Sequence, residues 1–263
     1  MKKFLCPLGK VIIYSTILHR TEEKKMPYIE TTVQAGSYLE VYKCHSYRYQ
    51  CPEKGNRKQK LERTTEQAAA VNERNAERKL RWLIQTNFSL GDIHLVVTYQ
   101  KDKRPDPDGA KKEIRNALRR FQRVYEKEGL EFKYIHVTEY KSTAVHHHLI
   151  IPSIDIRLLT DKWKFGQLRP TFLYESGGYS ELARYLIKET SKTFREDKNP
   201  NKKRWYGSRN LKKPKITKKI VKANTFATAP KERKGYILET DSYFSDYNSD
   251  GYPYVFYRYR KIE

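Results

Sequence analysis

The stretch Phe132-Lys-Tyr-Ile-His-Val-Thr-Glu-Tyr-Lys-Ser-Thr-Ala-Val-His-His-His-Leu-Ile-Ile-Pro152 decides how this chain folds. Phe132–Glu139 and Val145–Pro152 are rich in β-branched and apolar residues, which is the composition of strands. Lys141–Ala144 between them is a short turn. So short a connection makes a hairpin and not a crossover, so the two strands run antiparallel. Side chains alternate between faces along a strand. His146 and His148 therefore share one face and His147 takes the other. Thr138-Glu139 closes the first strand across from the start of the histidine strand, and parity puts His136 on the face opposite Glu139.

Working outward, Ile93–Tyr99 is a compact β-branched run and is predicted as a strand. Lys101–Gly109 holds two prolines and a glycine and is predicted as a loop. Ala110–Glu128 places Ile114, Ala117, Leu118, Phe121 and Val124 on one helical face, with Gly129 where a C-cap belongs. After the hairpin come a short helical piece around Leu159–Phe165, a strand at Leu168–Tyr174 and a helix at Ser180–Phe194. The order β-α-β-β-α-β predicts an α+β, ferredoxin-like antiparallel sheet with helices on one face. Upstream, Thr65–Asn87 has helical spacing, and Thr64 with Gln67 could form a capping box. Strands are expected within residues 29–50, with Tyr38-Leu-Glu-Val-Tyr42 the clearest.

Composition bounds the partners. The chain has 263 residues with 54 Lys plus Arg against 31 Asp plus Glu, a net charge of +23. Such a charge attracts polyanions, of which nucleic acid is the commonest. No apolar run approaches the roughly 20 residues of a spanning helix, so no membrane partner is expected. Pro7, Gly9 and Lys10 interrupt the apolar start, which argues against a secretory signal, and residues 1–25 are expected to be dispensable. Cys6, Cys44 and Cys51 are too few for a disulfide scaffold. They are read as plain thiols in a reducing cytoplasm, and Cys44-His45 with Cys51 matches no common zinc spacing. The segment 202–234 is dense in Lys and Arg with Glu232 its single acid, and the last stretch is rich in tyrosine.

Two places carry chemistry. His146 and His148 can both reach one ion with neutral imidazole nitrogens. A divalent ion used with phosphate also wants an oxygen ligand, and Glu139 across the hairpin is the candidate, with His136 an alternative. In Glu181–Glu189, Tyr185 and Lys188 lie three apart on one helix face. A tyrosine hydroxyl can attack a phosphodiester, but with an ordinary pKa of about 10 it needs help from a nearby cation. Tyr174 and Tyr179 are rival nucleophiles.

These pieces together resemble the HUH endonucleases, and within them the rolling-circle replication initiators of phages, plasmids and integrative elements. The resemblance rests on His94-Leu-Val-Val-Thr-Tyr99, on His146-His-His148-Leu149 and on Tyr185-Leu-Ile-Lys188, in that order. Arg204-Trp-Tyr-Gly-Ser-Arg-Asn-Leu-Lys-Lys-Pro214 is similar to a segment that follows the nicking tyrosine in phage-type proteins. The position between the ligand histidines is usually hydrophobic and here is His147. The resemblance implies a nicking domain at 63–200, an accessory segment at 1–62 and a basic, Tyr-rich extension at 201–263. It implies Mg²⁺ or Mn²⁺ on Glu139, His146 and His148, a covalent 5′-phosphate on Tyr185, and charge balance from Lys188. The expected partners are single-stranded or unwound origin DNA and a host polymerase and helicase, in the cytoplasm of a bacterial or phage-infected cell. Candidate DNA contacts are Arg119, Arg120, Arg123, Arg204, Arg209, Lys212 and Lys213. The alternatives are a conjugative relaxase, a single-tyrosine transposase, or a non-catalytic nucleic-acid-binding module that stacks bases on exposed sheet aromatics.

Overall fold

The computed structural model describes residues 27–45, 66–141, 144–174, 176–193, 203–247 and 251–262. The expectations for residues 1–25, Cys6, Cys51 and the Thr64 cap lie outside them. The central strands are β3 (Ile93–Thr98), β4 (Ile135–Lys141), β5 (Ala144–Ile151) and β6 (Leu168–Phe172). With the short β7 (Tyr206–Gly207) they form one antiparallel sheet in the order β6-β3-β5-β4-β7. The first four follow the ferredoxin-like order, as the hairpin predicts.

Helix α2 (Pro107–Lys127) and the short α3 (Arg157–Thr160) are the crossovers of this sheet, and they share one face of it. Ile114, Ala117 and Phe121 of α2 and Leu159 of α3 pack there on Leu95, Val97, Leu149 and Ile151. The expectation of helices on one face holds for these two only. Helices α1 (Glu66–Asn87) and α4 (Ser180–Thr193) cover the other face, where Leu80, Ile84, Ala183, Leu186 and Ile187 meet Ile135, Val137 and Ile150. Both ends of α2 have local causes. Asp106 accepts from the Gly109 amide and Pro107 takes the first turn, so the helix starts three residues before Ala110. Gly129, at φ +69°, ends it, and the Leu130 amide returns to the Tyr125 carbonyl.

A second antiparallel sheet joins the two ends of the chain. It contains β1 (Tyr28–Ala35), β2 (Tyr38–His45), β8 (Lys215–Val221), β9 (Tyr236–Tyr247) and β10 (Pro253–Lys261), ordered β8-β1-β2-β10-β9. Segments expected as separate N- and C-terminal pieces are thus paired strand to strand. Cys44 lies in β2, where burial pushes its thiol above the ordinary value against the pull of Lys218, which suits a plain thiol.

Helix α1 stands between the sheets. The tight turn at Gly36, φ +58°, lies against the Gln85 carbonyl of α1, so no side chain fits there. Beside it, Glu40 of β2 is 2 % exposed and accepts from the Arg81 guanidinium and from Trp82 Nε1 at 2.7 Å. Among the described residues no helix is long and apolar enough to cross a membrane. Removing one partner of a buried ion pair strands the other charge, at about 3–5 kcal/mol. Glu40→Ala is therefore expected to lower the unfolding free energy by about 3 kcal/mol in urea titrations. Asp155→Ala, which breaks an exposed pair with Arg157, leaves the midpoint unchanged.

Candidate functional site

The hairpin places the acid directly opposite the histidines. Glu139 is the register partner of His146, and Val137 that of His148. Glu139, His146 and His148 share the face covered by α1 and α4. Glu139 is 1 % exposed and His148 2 %. His148 Nε2 lies 3.1 Å from Glu139 Oε2, and His146 Nδ1 lies 4.0 Å from the same oxygen. A carboxylate offers no proton, so His148 Nε2 donates. That leaves His148 Nδ1 to accept, and His94 Nε2 of β3 meets it at 3.1 Å. The two rings stack, with centroids 5.3 Å apart. Burial, with His148 beside it, pushes the His94 pKa down to about 4, so this imidazole is neutral near neutral pH.

Helix α4 brings the tyrosine. Gly178 and Tyr179 turn into it through left-handed backbone at φ +59° and +61°, a conformation Tyr179 adopts at a cost. The Gly178 carbonyl is held by Gln85 Nε2 of α1 at 2.9 Å. Ala183, Leu186 and Ile187 then seat the helix on the sheet, which puts Tyr185 over the histidines. Its ring meets that of His148 edge-on, centroids 5.5 Å apart, and 42 % of the residue stays exposed. Lys188, one turn further along, is exposed. Of the rivals, Tyr179 is buried at 5 %, while Tyr174 is exposed and lines a cleft with His94 between β6 and the start of α4.

His147 points to the α2 face, as parity requires. Its Nε2 lies 3.1 Å from the Tyr99 hydroxyl and its Nδ1 3.2 Å from His136 Nε2, with the Thr138 hydroxyl 3.1 Å from each of these last two nitrogens. Its departure from a hydrophobic middle position is thus absorbed by a buried polar network. His136 belongs to that network and is not an alternative ligand.

The remaining expected residues scatter. Arg119 and Arg123 are exposed on α2, across the sheet from Tyr185, and Arg120 donates to the Lys162 carbonyl at 2.7 Å. Arg209 lies exposed in a strap that fastens the sheet edge, where the Ser208 amide bonds the Tyr134 carbonyl and Asn210 bonds Glu131 and the Phe132 carbonyl. Asn87 of α1 grips both the amide and the carbonyl of Lys212. Arg204 is partly buried, and the Lys212 and Lys213 side chains are exposed. Sequence reasoning missed His94. It sits at the start of the first motif with the parity of Val96 and Thr98, but its partner became visible only with the β3–β5 register.

Among the described residues, no group of three or more His, Cys, Asp or Glu side chains is arranged as a closed metal cage. The donor set itself suits a divalent ion: one carboxylate and two imidazoles on one face, with His94 holding the far nitrogen of His148.

A buried acid and histidines under an exposed helical tyrosine, in a chain of net charge +23, form a site fitted to a phosphate-bearing partner. Residues 92–194 match the family model of the replication-associated proteins of the ORF2 type. The match runs from just before β3 to the end of α4 and supports a replication initiator acting on DNA. No curated protein and no solved structure matches the chain.

The buried network has a consequence for stability against pH. Burial, with His148 near, lowers the His136 pKa from 6.5 to about 3. Above pH 6.5 both folded and unfolded chains hold this group neutral. Between 6.5 and 3 the unfolded chain binds a proton that the folded one refuses, so stability falls as pH falls. The urea midpoint is expected to be lower at pH 5 than at pH 7, with His136→Gln narrowing the difference. An equal drop in parent and variant would refute the assignment.

Proposed function

We propose that this protein is a metal-dependent, site-specific single-stranded DNA endonuclease that starts rolling-circle replication through a 5′-phosphotyrosine. The observation that carries the reading is the placement of Tyr185 on His148, which is itself bonded to the buried Glu139. Burying a carboxylate and imidazoles in a sheet face is costly unless they are used. The family match over 92–194 agrees with a role at an origin.

Glu139, His146 and His148 would hold Mg²⁺ or Mn²⁺, which supplies polarisation of the scissile phosphate and stabilises its developing charge. His94 orients His148. Tyr185 Oη attacks the phosphorus, a tyrosyl–phosphate bond forms, and the bond from phosphorus to the 3′ oxygen breaks. The tyrosine proton passes to solvent, and the departing oxygen takes one up as a 3′-hydroxyl. Lys188 balances charge on the phosphate from one turn along α4. The 3′-hydroxyl is then a primer for a host polymerase, with a host helicase opening the duplex.

The relaxase reading drew on a third histidine in the metal motif, and His147 lies on the opposite face bonded to Tyr99. The transposase reading shares this chemistry and differs in the fate of the nicked strand. A base-stacking module on the ferredoxin-like sheet needs an open face, whereas helices cover both faces of this sheet.

The deciding experiment incubates the protein with labelled single-stranded DNA of its own replicon and Mn²⁺. A denaturant-stable adduct is expected, mapping to Tyr185 and absent in Tyr185→Phe. His146→Ala with His148→Ala should slow cleavage ~100-fold or more, as expected for loss of several kcal/mol of charge stabilisation. An adduct persisting in Tyr185→Phe makes Tyr174 the nucleophile, and unimpaired cleavage by the double variant removes the metal site.

A further inference from the structure

The tyrosine-rich end of the chain is not used by the nicking chemistry. In the second sheet it builds one particular surface. Register places Tyr42 of β2 beside Phe256 of β10, Phe256 beside Phe244 of β9, and Tyr254 two residues along β10 on the same face. The rings form a connected set. Tyr42 and Tyr254 stack at 6.2 Å with an 18° tilt, Phe256 lies 6.0 Å from Tyr42, and Phe244 lies 5.8 Å from Tyr254. Aromatic residues this large are usually covered, yet Phe244 is 50 % exposed.

Cations are interleaved with the rings. The Arg78 guanidinium of α1 stands 5.2 Å from the centre of the Tyr42 ring, and Arg74, one turn earlier, acts electrostatically on Tyr254. Lys79 and Lys218 line the groove that continues from Tyr42 to Trp82 between the sheet and α1. Of the acids on this face, Glu40 is neutralised by Arg81, and Asp246 sits opposite Tyr254 at the rim.

We propose that this face of the second sheet is a single-stranded DNA platform separate from the nicking site, on which bases stack against Tyr42, Phe244, Tyr254 and Phe256 while Arg74, Arg78, Lys79 and Lys218 meet the backbone. Flat aromatic faces next to guanidinium and ammonium groups accept any base without reading sequence. A purely apolar protein partner would not call for the cations, and the net charge of +23 favours a polyanion. A duplex keeps its base faces stacked inside and cannot use the rings. The surface stands on its own observations and does not depend on the nicking chemistry.

The test uses the full chain carrying Tyr185→Phe, in EDTA, so that cleavage plays no part. Binding to a fluorescent 20-nucleotide oligothymidylate is followed by anisotropy at fixed salt. Phe244→Ala with Tyr254→Ala is expected to weaken binding by roughly 10- to 100-fold, since each lost base–aromatic stack is worth about 1–3 kcal/mol. Tyr254→Phe, which keeps the ring, restores most of the single-site loss, and duplex DNA binds the parent and the double variant alike. Ultraviolet crosslinking of the unmutated platform to the same oligonucleotide is expected to mark peptides of β9 and β10. Equal oligothymidylate affinity in parent and double variant overturns the platform, and so do crosslinks confined to α4 and β5. Failure to form the Tyr185 adduct in Mn²⁺ would refute the nicking reading while leaving these binding results untouched.

Discussion

A carboxylate held at 1 % exposure beneath a helix is stable only if donors are aimed at it, and the fold supplies them through one register. Glu139 faces His146 across the β4–β5 hairpin, and His148, the next residue on that face, donates to the carboxylate. A slip of one residue would send all of these side chains to the α2 face and replace them with His136, Thr138 and His147. The apolar pattern prevents that slip. Ile135, Val137 and Ile150 fill the α1/α4 side, while Leu149 and Ile151 fill the α2 side. The packing that stabilises the sheet therefore also fixes the acid–histidine pair.

The same register divides the histidines into two sets with different physics. On the α4 face, His146 is partly exposed, and His148 links Glu139 to a neutral His94. On the α2 face, His136 and His147 are buried together with Tyr99 and Thr138, and burial keeps both imidazoles uncharged. Five histidines on three strands thus form an open donor set and a closed hydrogen-bonded network, back to back through one sheet.

Much of the central sheet was legible because its signals are local. The turn at 141–144 forces a hairpin, parity separates His147 from its neighbours, and the spacing of Ile114, Ala117, Leu118 and Phe121 marks α2. The start of α2 was hidden because Pro105, Pro107 and Gly109 read as loop residues, while Asp106 and Pro107 are an N-cap and a first turn. The second sheet was illegible for a different reason. Strand β8 pairs with β1 across most of the chain, and its Lys-rich sequence carries no local apolar alternation. The Ser208–Pro214 segment was recognisable as a pattern, but its task of tying Tyr134, Phe132 and Asn87 together is a tertiary one. His94 was missed for the same reason, since its contact with His148 depends on an inter-strand register.

Helix α1 connects these observations. Its Leu80 and Ile84 pack beneath the face that holds Glu139 and His148, and it also contacts α4, which carries Tyr185. Its Arg81 and Trp82 clamp Glu40, and its Arg78 covers Tyr42 on the second sheet. Gln85 touches both halves at once, its carbonyl against Gly36 and its side-chain amide on Gly178, immediately before α4. A displacement of α1 cannot be absorbed at Gly36, where the backbone is already in contact. It must pass through Gln85 to the left-handed turn at Gly178-Tyr179, and hence to the position of Tyr185 relative to His148. The two sheets are in this sense mechanically joined, and the helix between them sets where the tyrosine stands.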